Sequence, residues 1–161
     1  YPVRTYRPSR FFDAAHLDAP STITRLRDMG LEPFLIGSSI NAVLAQRLVR
    51  RICPSCKEHY RPNPEELERI GLSTTDLING LVSRGRGCET CLETGYRGRT
   101  GIHEFMLLDE ELKRIILETS DAAQLKKHAC GRGMRTLLQD GANRVLKGET
   151  TVAEVYRVAQ S

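Results

Sequence analysis

Apolar positions along this chain fall mostly at helical spacing. Ile23, Leu26 and Met29 form one stripe after Asp18-Ala19-Pro20-Ser21, a run that suits a helix start with Ser21 as cap, and Gly30 ends it. A second helix is expected after Pro33, with Phe34, Leu35, Ile36, Ile40, Val43, Leu44 and Leu48 apolar on more than one face, as for a segment buried in a larger core. Residues 51–56 read as a turn containing Pro54. Asn63-Pro64-Glu65-Glu66 supplies a cap, a first-turn proline and first-turn acids for a helix carrying Leu67 and Ile70 and stopping at Gly71. A short helix is expected from Ser73, with Leu77, Ile78 and Leu81 inside.

The period changes after Gly95. Residues 95–101 are rich in turn formers, and Ile102 and Phe105 suit a short strand ending near Leu108. Helical spacing then returns in Leu112, Ile115 and Ile116. It continues in a helix from Ser120-Asp121 through Leu125, and in Met134, Leu137, Leu138, Val145 and Leu146 as far as Gly148. Thr151 and Glu154 form a capping-box pair ahead of Val152, Val155 and Val158. The fold expected is α+β and mostly helical, with a helical bundle over residues 109–161. Residues 1–15 show no period.

Composition changes this picture little. Hydrophobic residues make up 40% of the chain, enough for a core, and no apolar run is long enough for a membrane helix. No secretory leader is visible, so a cytosolic chain is expected. The net charge of +4 and an aromatic content of 6%, with no tryptophan, argue against nucleic acid as partner.

The cysteines carry the chemistry. Cys53-x-x-Cys56 and Cys88-x-x-Cys91 are two pairs separated by residues 57–87, and Cys130 stands apart as a small apolar residue on a helix. Two thiolates two residues apart can bind one ion through a tight turn, and two such knuckles complete a tetrahedron that suits zinc. All four positions then come from protein, so the expected ion is structural. The alternatives are redox dithiols, which want a βαβ setting absent here, or buried free thiols. His59 and His103 are weaker ligand candidates. Four cysteinates on a divalent ion leave a charge of about −2, which Arg50, Arg51, Lys57, Arg84 and Arg86 are placed to offset.

Several runs resemble one family. Gln46-Arg47-Leu48-Val49-Arg50-Arg51-Ile52-Cys53-Pro54-Ser55-Cys56 resembles the start of the metal-binding region of type II secretion ATPases. So do Gly87-Cys88-Glu89-Thr90-Cys91, then Thr94-Gly95-Tyr96-Arg97-Gly98-Arg99-Thr100-Gly101-Ile102-His103-Glu104. Gly133-Met134-Arg135-Thr136-Leu137, Asp140-Gly141 and Lys147-Gly148-Glu149-Thr150-Thr151 add to the likeness, which spans residues 19–161. The secretion E protein is the better fit and the type IV pilus assembly ATPase a near relative.

The resemblance implies the C-terminal part of a RecA-like ATPase domain. Its expected divisions are an unplaced leader (1–18), helices ending the ATPase core (19–52), a zinc-binding helical insertion (53–91), a returning hairpin or strand (92–108) and the helical bundle (109–161). It implies a hexameric cytoplasmic motor, peripheral to the inner membrane through secretion components there, using ATP and Mg2+ to drive pseudopilus assembly. The chain contains no G-x-x-x-x-G-K-[ST] loop, so a C-terminal fragment inactive alone is expected. His16 resembles a remnant of the family's histidine box facing the nucleotide, and Arg97 and Arg99 are candidates for a nucleotide edge or a neighbouring subunit. A zinc-stabilised nucleic-acid-binding module is the alternative from a different class.

Overall fold

A computed structural model describes residues 18–119 and 121–159. His16 lies outside the described residues. The order of elements is α1 (Ala19–Asp28), α2 (Pro33–Ser39), β1 (Ala42–Ile52), β2 (Lys57–Tyr60), α3 (Pro64–Glu68), β3 (Val82–Gly85), β4 (Tyr96–Leu107), α4 (Glu110–Glu118), α5 (Ala122–Gly131), α6 (Leu137–Leu146) and α7 (Val152–Ala159).

The long second helix expected through Leu48 is not formed. It stops at Ser39, and residues from Ala42 onward form β1, which pairs antiparallel with β4 (Ala42 opposite Leu107, Val49 opposite Thr100). The turn-rich run at 96–101 belongs to β4, a strand much longer than expected. The N-cap of α1 is Asp18, not Ser21: the Asp18 carboxylate accepts the Ser21 amide at 3.0 Å. The insertion between the cysteine pairs is a β2–β3 hairpin carrying α3, the helix expected after Asn63, and short 3-10 turns (Thr74–Asp76, Ile78–Gly80) in place of the helix expected from Ser73.

One face of the β1–β4 ribbon is buried. Ala45, Val49, Ile102 and Met106 join Ile23, Leu112, Ile116, Leu125 and Leu137 in a core covered by α1, α4, α5 and α6. Within it, Glu104 is 1% exposed and caps two helices at once. Its Oε1 accepts the Ala19 amide at 2.8 Å and its Oε2 the Leu137 amide at 3.2 Å, so one carboxylate sits at the positive ends of α1 and α6. The opposite face carries Leu44, Leu48, Phe105 and Leu107, each more than half exposed.

A second core joins the insertion to the chain's last helices. Leu67, Ile70 and Val82 pack with Ala142, Val145, Val152 and Val155. Val145 therefore belongs with the insertion and not with Leu112, Ile116 and Leu137.

Candidate metal centre

β1 leads directly into the first cysteine pair. The Cys53 amide donates to the Gly95 carbonyl at 2.9 Å, and Pro54 opens a 3-10 turn (Pro54–Cys56). Proline suits a first-turn position because its missing N–H is not needed there. β3 then returns to the second pair: the Arg86 amide donates to the Cys56 carbonyl at 3.0 Å, and a 3-10 turn (Glu89–Cys91) follows Cys88. Leu92 and Glu93 both take positive φ, 52° and 60°, and turn the chain back over the sulfurs.

Two glycines let the halves meet. A Cβ on Gly85 would lie 2.0 Å from the Gly95 carbonyl oxygen, and one on Gly95 would lie 2.5 Å from the Gly85 oxygen. Backbone touches backbone here, so neither position accepts a side chain.

The four sulfurs all lie within 4.8 Å of one another. Cys53 to Cys88 is 4.0 Å, Cys56 to Cys91 is 3.9 Å and Cys88 to Cys91 is 3.7 Å. A tetrahedron with metal–sulfur bonds of about 2.3 Å has edges of about 3.8 Å. The donor set therefore fits a tetrahedral thiophilic ion, and these separations are far too long for disulfides. Cys53, Cys56 and Cys91 are buried and Cys88 is half-buried.

Two backbone amides point at one sulfur: Cys88 and Gly95 donate to Cys91 Sγ at 3.3 and 3.2 Å. Burial disfavours the Cys91 thiolate, but these amides and the neighbouring Cys88 and Cys56 thiols outweigh it and bring the group down to about 6. Burial pushes the Cys56 thiol up to about 11, with the other three thiols adding to it against the Gly87 amide. A divalent ion would displace the remaining protons and hold all four as thiolates.

The two histidines considered as ligands stand elsewhere. His59 Nδ1 meets Ser83 Oγ at 3.1 Å, and His103 faces Asp140. Two of the nearby arginines are also engaged elsewhere. Arg50 pairs with Glu154 and lies over the Tyr96 ring, and Arg84 pairs with Glu58 and lies over Tyr60. Arg97 and Arg99 lie exposed on β4, with Arg99 opposite Arg50. Sequence reasoning missed Glu104 and the Thr136–Gln139 capping box that starts α6, although T-x-x-Q was there to read.

A family model described as Type II/IV secretion system protein matches residues 15–157. The chain is 45% identical over 138 residues to the type IV pilus assembly ATPase PilB of Thermus thermophilus, covering 86% of this chain and 16% of that protein. It is 44% identical over 142 residues to the type II secretion system protein E of Pseudomonas aeruginosa, covering 88% and 28%. It is 42% identical over 142 residues to the type II secretion system ATPase E of Vibrio cholerae, again 88% and 28%. The chain thus spans well under a third of the length of these relatives.

Proposed function

We infer the function of this chain from one premise: it belongs to the Type II/IV secretion system protein family. The proposed role is that of the C-terminal part of a cytoplasmic motor ATPase that powers type II protein secretion. The observation that carries it is the 44% identity to a secretion E protein over nearly the whole of this chain. Type IV pilus assembly is the second reading, favoured by the 45% identity to a pilus assembly ATPase.

In this reading ATP and Mg2+ bind in the remainder of a longer protein, a hexamer docked on inner-membrane secretion components. The open face of the β1–β4 ribbon supports it. Leu44, Leu48, Phe105 and Leu107 form the kind of apolar surface that a further layer of a RecA-like core would cover. His16, Arg97 and Arg99 are assigned to the nucleotide or to the edge of a neighbouring subunit. Zinc is assigned to Cys53, Cys56, Cys88 and Cys91, where it supplies a cross-link and leaves no open position for water.

The test is genetic. The reading frame upstream of residue 1 is expected to encode a phosphate-binding loop. Deleting the gene should abolish type II secretion, and pilus loss with secretion intact would select the second reading. A continuous upstream frame without such a loop would remove the motor assignment.

A further inference from the structure

Four cations converge on one cavity beside the metal lobe. Arg51 at the end of β1, Lys57 at the start of β2, Arg97 on β4 and Lys147 just after α6 line a recess of about 450 Å³ with Ile52, Pro54, Gly148 and Glu149. Glu149, its one acid, is held by Arg144 at 2.9 Å. No ion pair among the described residues involves Arg51, Lys57, Arg97 or Lys147. Arg50, Arg84, Arg144 and Arg157, on the same part of the fold, each have a carboxylate.

Four like charges brought together from four elements repel one another, and an anion in the recess reverses that term. The cysteine sulfurs are not that anion at contact range: no cysteine lines the recess, and three of the four are buried. The recess also continues. Lys57, Lys147 and Gly148 line a neighbouring cavity of about 360 Å³ that adds His59, Ser83 and one acid, Asp76, whose carboxylate accepts from the Ser73 amide and hydroxyl. Gly148 lies on the wall the two cavities share, close to Lys57 Nζ and Ser83 Oγ, which a Cβ there would meet at 2.7 and 2.9 Å.

We propose that this recess is a binding site for a phosphate-bearing anion with more than one charge, such as a diphosphate. The two guanidinium forks suit adjacent phosphate oxygens and the two ammonium groups act as point charges. Diphosphate chemistry reaches a protein from soluble metabolites, and multiply charged phosphomonoesters reach it from lipid headgroups. The site shares Arg97 with the motor reading, which gives that residue to the nucleotide or a neighbouring subunit; Arg51, Lys57 and Lys147 have no part in that reading, which rests on the family.

The test uses the 161-residue chain, pyrophosphate as probe and amide chemical shifts as readout at constant ionic strength, with sulfate as the control anion. Saturable shifts in residues 51–57, 97 and 147–149 are expected, with sulfate much weaker. Lys57→Gln and Arg97→Gln should each weaken pyrophosphate binding at least tenfold, while Arg132→Gln, a cation elsewhere, should not. The same spectra report whether each variant is folded, and Lys147→Gln serves if Lys57→Gln is not. Vesicles containing phosphatidic acid, whose phosphomonoester carries more than one charge, against phosphatidylcholine, separate the sources: retention lost in the same variants and competed by pyrophosphate assigns a headgroup, and no retention assigns a soluble ligand. Absence of saturable pyrophosphate shifts, equal response to sulfate, or binding unchanged in folded variants would overturn the proposal. None of these outcomes bears on the upstream phosphate-binding loop.

Discussion

Glu154 holds the backbone of Arg50, a residue 104 positions earlier in the chain. Its Oε1 accepts the Arg50 amide at 3.0 Å while its Oε2 takes the same residue's guanidinium at 2.8 Å. The contact lies where the β1–β4 register shifts, between Arg50 and Ile52. The neighbouring groups freed by that shift are taken up by the same segment. Thr150 Oγ1 donates to the Arg50 carbonyl at 2.8 Å, and the Ile52 amide donates to the Glu149 carbonyl at 3.0 Å. A β-bulge leaves ladder groups unpaired. Here the approach to α7 satisfies them and fixes the direction in which the chain enters Cys53.

Glu154→Ala should therefore destabilise the chain by about 1–3 kcal/mol, the range for leaving the Arg50 amide without its acceptor, since the Arg50 and Arg157 guanidiniums are about half exposed and return to water. Glu154 is 1% exposed. Burial disfavours its charge, but the Arg50 and Arg157 guanidiniums and the Arg50 amide outweigh that and hold it down at about 2, against an ordinary 4.5. Its contribution is complete above the ordinary value and is lost as pH falls from there toward 2. Urea unfolding at a series of pH values should show a steep acid loss in the parent chain and a shallower one in Glu154→Gln. An unchanged acid slope would refute the latch.

Glu104 should behave with the opposite sign. Burial raises it above its ordinary value despite the two amides it accepts, so its charged form is the one the fold disfavours. Glu104→Gln should lose one of two amide acceptors but remove the cost of burying charge. Glu104→Ala orphans the amides of both Ala19 and Leu137 and should cost about 2–5 kcal/mol. Thermal melts of the two variants check the order, with Ala the worse.

About one zinc per chain is expected by elemental analysis, and Cys88→Ser should lose it. Hydrogen exchange should then rise in residues 53–60 and 82–95. Residues 64–72 should respond less, because Leu67 and Ile70 are anchored on α6 and α7 by packing that does not involve the metal. Uniform loosening of all of residues 57–87 would show that the packing contributes little and the ion nearly everything.

Purified chain should release no phosphate from ATP above background, since it contains no loop to cradle the nucleotide. Turnover that co-purifies with the chain through successive columns would contradict the division of labour proposed above.

The cysteine pairs were legible because ligand spacing is a local property: two residues between sulfurs fix a knuckle whatever surrounds it. Helix starts at Asn63 and Asp121 were legible for the same reason: Asn63 caps as expected, and the Asp121 carboxylate accepts the Ala123 amide at the start of α5. Thr151 was half right. Its hydroxyl accepts the Glu154 amide at 3.2 Å, but the Glu154 side chain turns to Arg50 and Arg157. β1 was misread because both of its faces are apolar. Ala45 and Val49 face the core while Leu44 and Leu48 face outward, which erases the alternation that marks a half-buried strand. What remained hidden depends on contacts between distant positions. Nothing near Glu104 or Glu154 in the chain announces that one caps two helices and the other seats a bulge.

Synthesis proceeds from the N-terminus, so β1 and both cysteine knuckles leave the ribosome before residues 149–154 exist. The strand that aims Cys53 is thus completed by residues made after both knuckles. A nascent chain halted near Leu146 would carry all four thiols with the bulge unseated and Val145 and Val82 stripped of Val152 and Val155. Such a product would present loose thiols and bare apolar surface together, marks by which proteases distinguish unfinished chains from finished ones.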